Sequence, residues 1–140
     1  VTSIDFHSKV ADKAHHACRL LRKARAANTR CVVYWTDQAA LHALDQLLWT
    51  FSPLDFLPHT MLGTPDAAQA PIVLTGHVAD TPHTDLLVNL DRATPTFFSR
   101  FERVIEIVGD DEDDRLAGRV RWNFYKERGY ALSHHDLSKG

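Results

Sequence analysis

Apolar and polar residues alternate over residues 3–7, the two-residue period of a strand, and then change to helical spacing. Val10, Ala14, Ala17, Leu21 and Ala24 recur at i, i+4, i+7, i+11 and i+14, which predicts a helix over residues 9–27 with one narrow apolar face. Lys9, Lys13, Arg19, Arg22, Lys23 and Arg25 lie mainly off that face, as expected of a solvated side. Asn28-Thr29 interrupts the pattern, and residues 31–35 are short, apolar and β-branched, the signature of an interior strand. Thr36 or Asp37 can cap a second helix with Ala40, Leu44, Leu47, Leu48 and Phe51 inward, stopped at Ser52-Pro53. Further strands are predicted at 56–60, 72–75, 86–90 and 103–108, the last alternating outward and inward. Loops are predicted at 62–70 and 76–84, and a short helix at 96–103. A final helix over 110–128 stops at Gly129, with Leu116, Val120 and Phe124 as its apolar face.

This β-α-β-α order predicts one α/β domain over residues 1–130. Its central sheet is expected to be mostly parallel or mixed, with helices on both faces in Rossmann-like layers. Residues 131–140 are read as a polar, loose tail. At 140 residues, 44% hydrophobic and 24% charged, the chain has enough material for a core without cross-links. Its net charge of −2 excludes a polycation, so any attraction to nucleic acid must come from a local patch. Cys18 and Cys31 fall where core residues are expected and read as buried thiols of a reducing compartment. No basic-then-apolar leader and no membrane-length apolar run is visible, which points to the cytoplasm.

Little catalytic chemistry is visible. Neither common Gly-rich phosphate cradle is present, so no cofactor is expected and a nucleotide-handling enzyme is disfavoured. His15-His16 and His134-His135 are adjacent pairs whose rings diverge, a poor metal chelate. The acidic run at residues 110–114 reads as an N-terminal helix cap, each carboxylate stabilised there by ~0.3–1 kcal/mol.

Two patterns resist that plain reading. Arg115, Arg119, Trp122 and Lys126 fall on one line along the last helix at ~100° per residue. Either Trp122 covers a neighbouring strand among ordinary solvated charges, or the line is an anion-recognition surface. A single-stranded nucleic acid stacked on Trp122 fits the second reading, and so does an acidic peptide or chain-terminal carboxylate. The second pattern is Leu44-Asp45-Gln46-Leu47-Leu48-Trp49 followed by Phe51, Pro53, Phe56, Pro58 and His59. Its rings either close the core or form a protein-contact patch.

That string, Pro71-Ile72-Val73, Asp85-Leu86-Leu87-Val88-Asn89-Leu90, Phe97, Phe101, Glu102 and the basic–aromatic last helix with Gly129-Tyr130 resemble the chi-subunit family of the bacterial DNA polymerase III holoenzyme. The resemblance runs in order over nearly the whole chain. It implies a replication accessory subunit without a catalytic site of its own. Such a subunit joins the clamp loader, through the psi subunit, to the acidic C-terminal tail of single-stranded-DNA-binding protein, and meets DNA only through that protein. It implies a tail site at Arg115, Arg119, Trp122 and Lys126 with Val108 as a pocket wall. It implies a psi-facing patch at Trp49, Phe56, Pro58 and His59. His59 is either a hydrogen-bonding interface residue or a satisfied buried histidine. The chain departs from the family pattern at Trp122, where tyrosine is usual, and at Asn123, often basic.

Overall fold

The computed structural model describes residues 2–51 and 57–138. In chain order the strands are β1 (Ser3–Val10), β2 (Cys31–Tyr34), β3 (His59–Met61), β4 (Ile72–Thr75), β5 (Leu86–Asn89), β6 (Arg103–Gly109) and β7 (Ala131–Asp136). The helices are α1 (Lys13–Ala26), α2 (Gln38–Thr50) and α3 (Glu112–Glu127). Among the described residues the strands form one sheet in the order β3-β4-β2-β5-β6-β1-β7, and every pairing is parallel. Parallel strands need covered faces, and the alternation of each strand divides the core accordingly. Cys31, Val33, Ile105 and Ile107 pack on one face beneath α1 and α2, while Val32, Tyr34, Val104 and Val108 pack on the other with Tyr125 of α3.

The layered α/β reading holds, and residues 72–75 form a strand as predicted. Several boundaries differ for local reasons. The first helix does not begin at Lys9. β1 continues to Val10, and the Asp12 carboxylate caps α1 by accepting the His15 backbone N–H at 3.1 Å. The short helix predicted over 96–103 is only a 3-10 turn at Phe98–Arg100, because Arg103 already belongs to β6. The strand predicted over 56–60 is His59–Met61, and Phe56 and the Ser52-Pro53 stop lie outside the described residues.

Two differences bear on function. Residues 131–136 are not a loose tail: they form β7, parallel to β1 in register Ser3 to Ala131 through Ser8 to Asp136. The polar sequence hid this strand because it is an exposed edge with no apolar face to alternate. Helix α3 also presents a different face from the one predicted. Leu116 and Val120 are 49% and 68% exposed, and Phe124 is half-buried, whereas Asp114, Gly118, Arg121 and Tyr125 turn inward. The cause lies in β6, which is buried on both faces instead of alternating outward. Glu106 sits on its α3 face between Val104 and Val108. It accepts from Arg121 Nε at 2.8 Å, Asn89 Nδ2 at 2.7 Å and the Tyr125 hydroxyl at 2.6 Å. A carboxylate desolvated this fully must be met by donors, so the helix turns its arginine and tyrosine inward.

Candidate functional site

Rotating α3 onto Glu106 leaves Arg115, Arg119 and Trp122 one residue round from the buried line, ~100° from the direction that meets the sheet. There they border a groove of about 810 Å³. Val108, Gly109 and Asp110 line it from the end of β6, and Phe6, Ser8 and Lys9 from the end of β1. His134, Leu137 and Ser138 close it from β7 and the turn after it. The location follows from topology. From β1 the chain leaves through α1 on one face toward β2. From neighbouring β6 it leaves through α3 on the other face toward β7. Adjacent strands whose connections depart in opposite directions leave a crevice at their carboxyl ends, the usual ligand position in open α/β sheets.

The floor is apolar. Phe6 meets Trp122 edge-on at 5.2 Å between ring centroids, and Val108 lies beneath Gly118, where a Cβ would come within 2.9 Å of both its γ-carbons. Gly118 thus lets the helix approach the strand closely. Trp122 is half-buried, and His134 faces it at 6.1 Å. So Trp122 both covers β1 and lines an open site.

The rim is cationic. Arg115 is engaged within its helix, with Nε donating to Glu112 at 2.9 Å and Nη2 to the other oxygen. That contact raises the guanidinium pKa and lowers that of the Glu112 carboxyl. Arg119 makes no hydrogen bond or ion pair among the described residues; Glu112 feels its charge only at a distance. Lys126 is exposed on the same line but does not border the groove. The acidic run does more than cap. Asp111 caps α3 by accepting the Asp114 backbone N–H at 2.7 Å. Asp114 is buried and accepts from the Gly109 N–H at 2.8 Å, Lys13 Nζ at 2.8 Å and Arg92 Nε at 2.5 Å. It thereby locks the start of α3 to the end of β6 and the start of α1. Burial alone would raise its pKa, but those donors hold the carboxyl down at about 2.

At the far edge of the sheet, Trp49 is 54% exposed and lies tilted over His59 with ring centroids 4.2 Å apart; Pro58 beside it is half-buried. His59 is buried, with Nδ1 2.7 Å from the Leu57 carbonyl oxygen and Nε2 3.1 Å from that of Asp45. Both ring nitrogens of His59 thus have a backbone oxygen in hydrogen-bond reach. Phe56 falls outside the described residues. Cys18 and Cys31 are buried free thiols pushed up to about 12 by burial. No group of three or more His, Cys, Asp or Glu among the described residues could hold a metal ion, and no helix among them is long and apolar enough to cross a membrane.

The α3 cations were visible in the sequence; the opposite wall of Ser8, Lys9, His134 and Leu137 was not. Its one signal was Phe6, an apolar strand position.

Comparison with known proteins returns one family throughout. Residues 1–133 match the family described as DNA polymerase III chi subunit, HolC. The chain is 33% identical over 143 aligned residues to the DNA polymerase III subunit chi of Pseudomonas aeruginosa, covering 99% of each. It is 25% identical to that of Haemophilus influenzae, covering 84% of this chain and 82% of the relative. It is 21% identical to that of Escherichia coli, covering 83% and 80%.

Proposed function

The chain belongs to the DNA polymerase III chi subunit family, and from that premise we propose that it serves replication as a non-catalytic connector with two separate docking surfaces. One surface is the groove between α3 and the ends of β6, β1 and β7. It takes the acidic C-terminal tail of single-stranded-DNA-binding protein. The observation that carries this reading is Arg119, a guanidinium with no acidic partner among the described residues, at the rim of a groove floored by Phe6, Val108 and Trp122. A tail that ends in an apolar residue with a free carboxylate, preceded by aspartates, matches both features. Its apolar side chain enters the floor, and its carboxylate is gripped by a forked donor.

The second surface is Trp49 with Pro58, at the β3 edge, and it receives the psi subunit. His59, held by Leu57 and Asp45, supports the indole from beneath. Phe56 belongs to this expected patch by sequence. Five strand spacings separate β3 from β1, ~24 Å at the usual interstrand distance, so both partners fit at once. Joining them raises the effective concentration of each near the other. DNA is met through the tail-bearing protein.

A titration with a labelled peptide ending in Asp-Asp-Ile-Pro-Phe, followed also by Trp122 fluorescence, tests the tail site. Saturable binding that weakens with salt and disappears on amidation of the terminal carboxylate is expected. Absence of binding at low salt, with single-stranded oligonucleotide bound instead, would reject the peptide reading in favour of a nucleic-acid one.

A further inference from the structure

The wall of the groove opposite α3 carries one cation, and its backbone is unusual. Lys9 lies at φ 56, in the left-handed region that non-glycine residues rarely adopt. It sits in a bulge, where the pairing of β1 with β6 shifts register between His7 and Val10. Strict alternation would put Phe6, Ser8 and Val10 on one face. Instead Phe6 packs on the α3 face and Val10 on the α1 face. The bulge therefore reverses the parity of β1 and delivers two consecutive residues, Ser8 and Lys9, to the groove. Strand β7 pins this arrangement. The Leu137 N–H donates to the Ser8 carbonyl at 3.0 Å, and the Ser8 hydroxyl lies 2.6 Å from His134 Nε2.

The ammonium of Lys9 is held only lightly. Its ion pair with Asp136 spans 3.3 Å, with side chains 58% and 43% exposed. Such a pair contributes little and exchanges readily for another carboxylate. The groove otherwise carries Asp110 as its acidic lining residue.

Building on the tail-receptor reading, we propose that Lys9 is a second anion-binding residue of the groove, which grips a carboxylate of the bound peptide from the β1–β7 wall and gives up Asp136 to do so. The peptide is then clamped between two cationic walls, Arg119 on one side and Lys9 on the other. The bulge is the device that aims Lys9.

The test uses the whole chain and the peptide ending in Asp-Asp-Ile-Pro-Phe. Lys9→Gly removes the ammonium and relieves the left-handed strain, and Lys9→Asn keeps a residue that tolerates that conformation. Both are expected to bind the peptide several-fold more weakly while melting no lower than the parent. Lys9→Arg is expected to retain affinity, and Asp136→Asn to raise it. If Lys9→Gly and Lys9→Asn bind like the parent while Arg119→Ala binds weakly, the clamp is wrong and the α3 site stands. If Arg119→Ala also binds like the parent, the groove reading falls together with the clamp.

Discussion

Arg121 Nε donates to Glu106 Oε1 at 2.8 Å with both side chains essentially sealed from water, only two residues from the exposed Arg119. Both are helical arginines, and the sheet assigns them opposite tasks. Arg121 answers a buried carboxylate, and Arg121 Nη1 also donates to the Arg92 carbonyl at 2.7 Å. Removing one partner strands the other charge. Arg121→Leu or Glu106→Leu alone is expected to destabilise the fold by about 3–5 kcal/mol in urea unfolding. The double variant Glu106→Leu/Arg121→Leu is expected to lose clearly less than the sum.

Arg119→Ala is expected to lower affinity for the acidic peptide about ten-fold or more, the scale of one charge-assisted hydrogen bond, with an unchanged thermal midpoint. Lys126→Ala, which stands outside the groove, is expected to change affinity little and only at low salt. Equal effects from both substitutions, measured by fluorescence titration, would mean that the line of cations and not the groove governs binding.

Gly118→Ala places a methyl 2.9 Å from both γ-carbons of Val108, a side chain whose branching at Cβ limits its escape. Overpacking of this kind costs ~1–3 kcal/mol, against ~1 kcal/mol gained in helix propensity. A net loss of about 1 kcal/mol is expected by chemical unfolding. Pairing it with Val108→Ala is expected to give back the steric part of that loss.

Acid should weaken the protein in two stages. Burial, with the charges of His16 and His135, pushes His7 down to about 4, so the unfolded chain takes up the proton first. His7 also shares a 2.8 Å contact from Nδ1 to Nε2 of His16, whose pKa burial lowers as well. Their contribution is complete above the unfolded histidine value near 6.5 and is lost as the pH falls toward 4. Asp114, held at about 2, contributes fully above the unfolded aspartate value near 3.8, and its share, about 2 kcal/mol, is lost as the pH falls through 2. Thermal midpoints measured from pH 8 to pH 2 are expected to fall first between 6.5 and 4, and again below 4. His7→Gln is expected to flatten the first fall, and Asp114→Asn the second.

Trp49→Ala is expected to abolish docking to the psi subunit while leaving peptide affinity and thermal midpoint near those of the parent. Loss of peptide binding as well would show that the two surfaces are not independent.

Much of the fold was legible because it rests on periodicity. The interior strands Cys31–Tyr34 and Ile72–Thr75, the helix Gln38–Thr50 with a cap at Thr36 or Asp37 that the structure gives to Asp37, and the Gly129 stop at φ 80 all rest on local signals. The main differences arise where long-range pairing acts: polar residues turned inward, a bulge in β1 and a polar edge strand. Periodicity assigns the apolar side of α3 to Leu116, Val120 and Phe124, since no local pattern announces that Glu106 will be buried and will claim Arg121 and Tyr125. It assigns Lys9 to a helix because the bulge that reverses β1 is fixed by pairing with β6, almost a hundred positions away in the chain. It leaves residues 131–136 as a tail because an exposed parallel edge carries no alternation.

What the chain by itself determined was therefore the α/β class, most of the interior strands and helices, and the presence of Arg115, Arg119 and Trp122 on one helical line. Only the tertiary structure decided which way that line faces, that β1 and β7 supply the opposing wall, and that Arg119 borders the groove while Arg121 is consumed by Glu106. Spacing along a helix or strand is set by local geometry, but orientation is set by desolvation, and the cost of burying Glu106 appears only when distant segments meet.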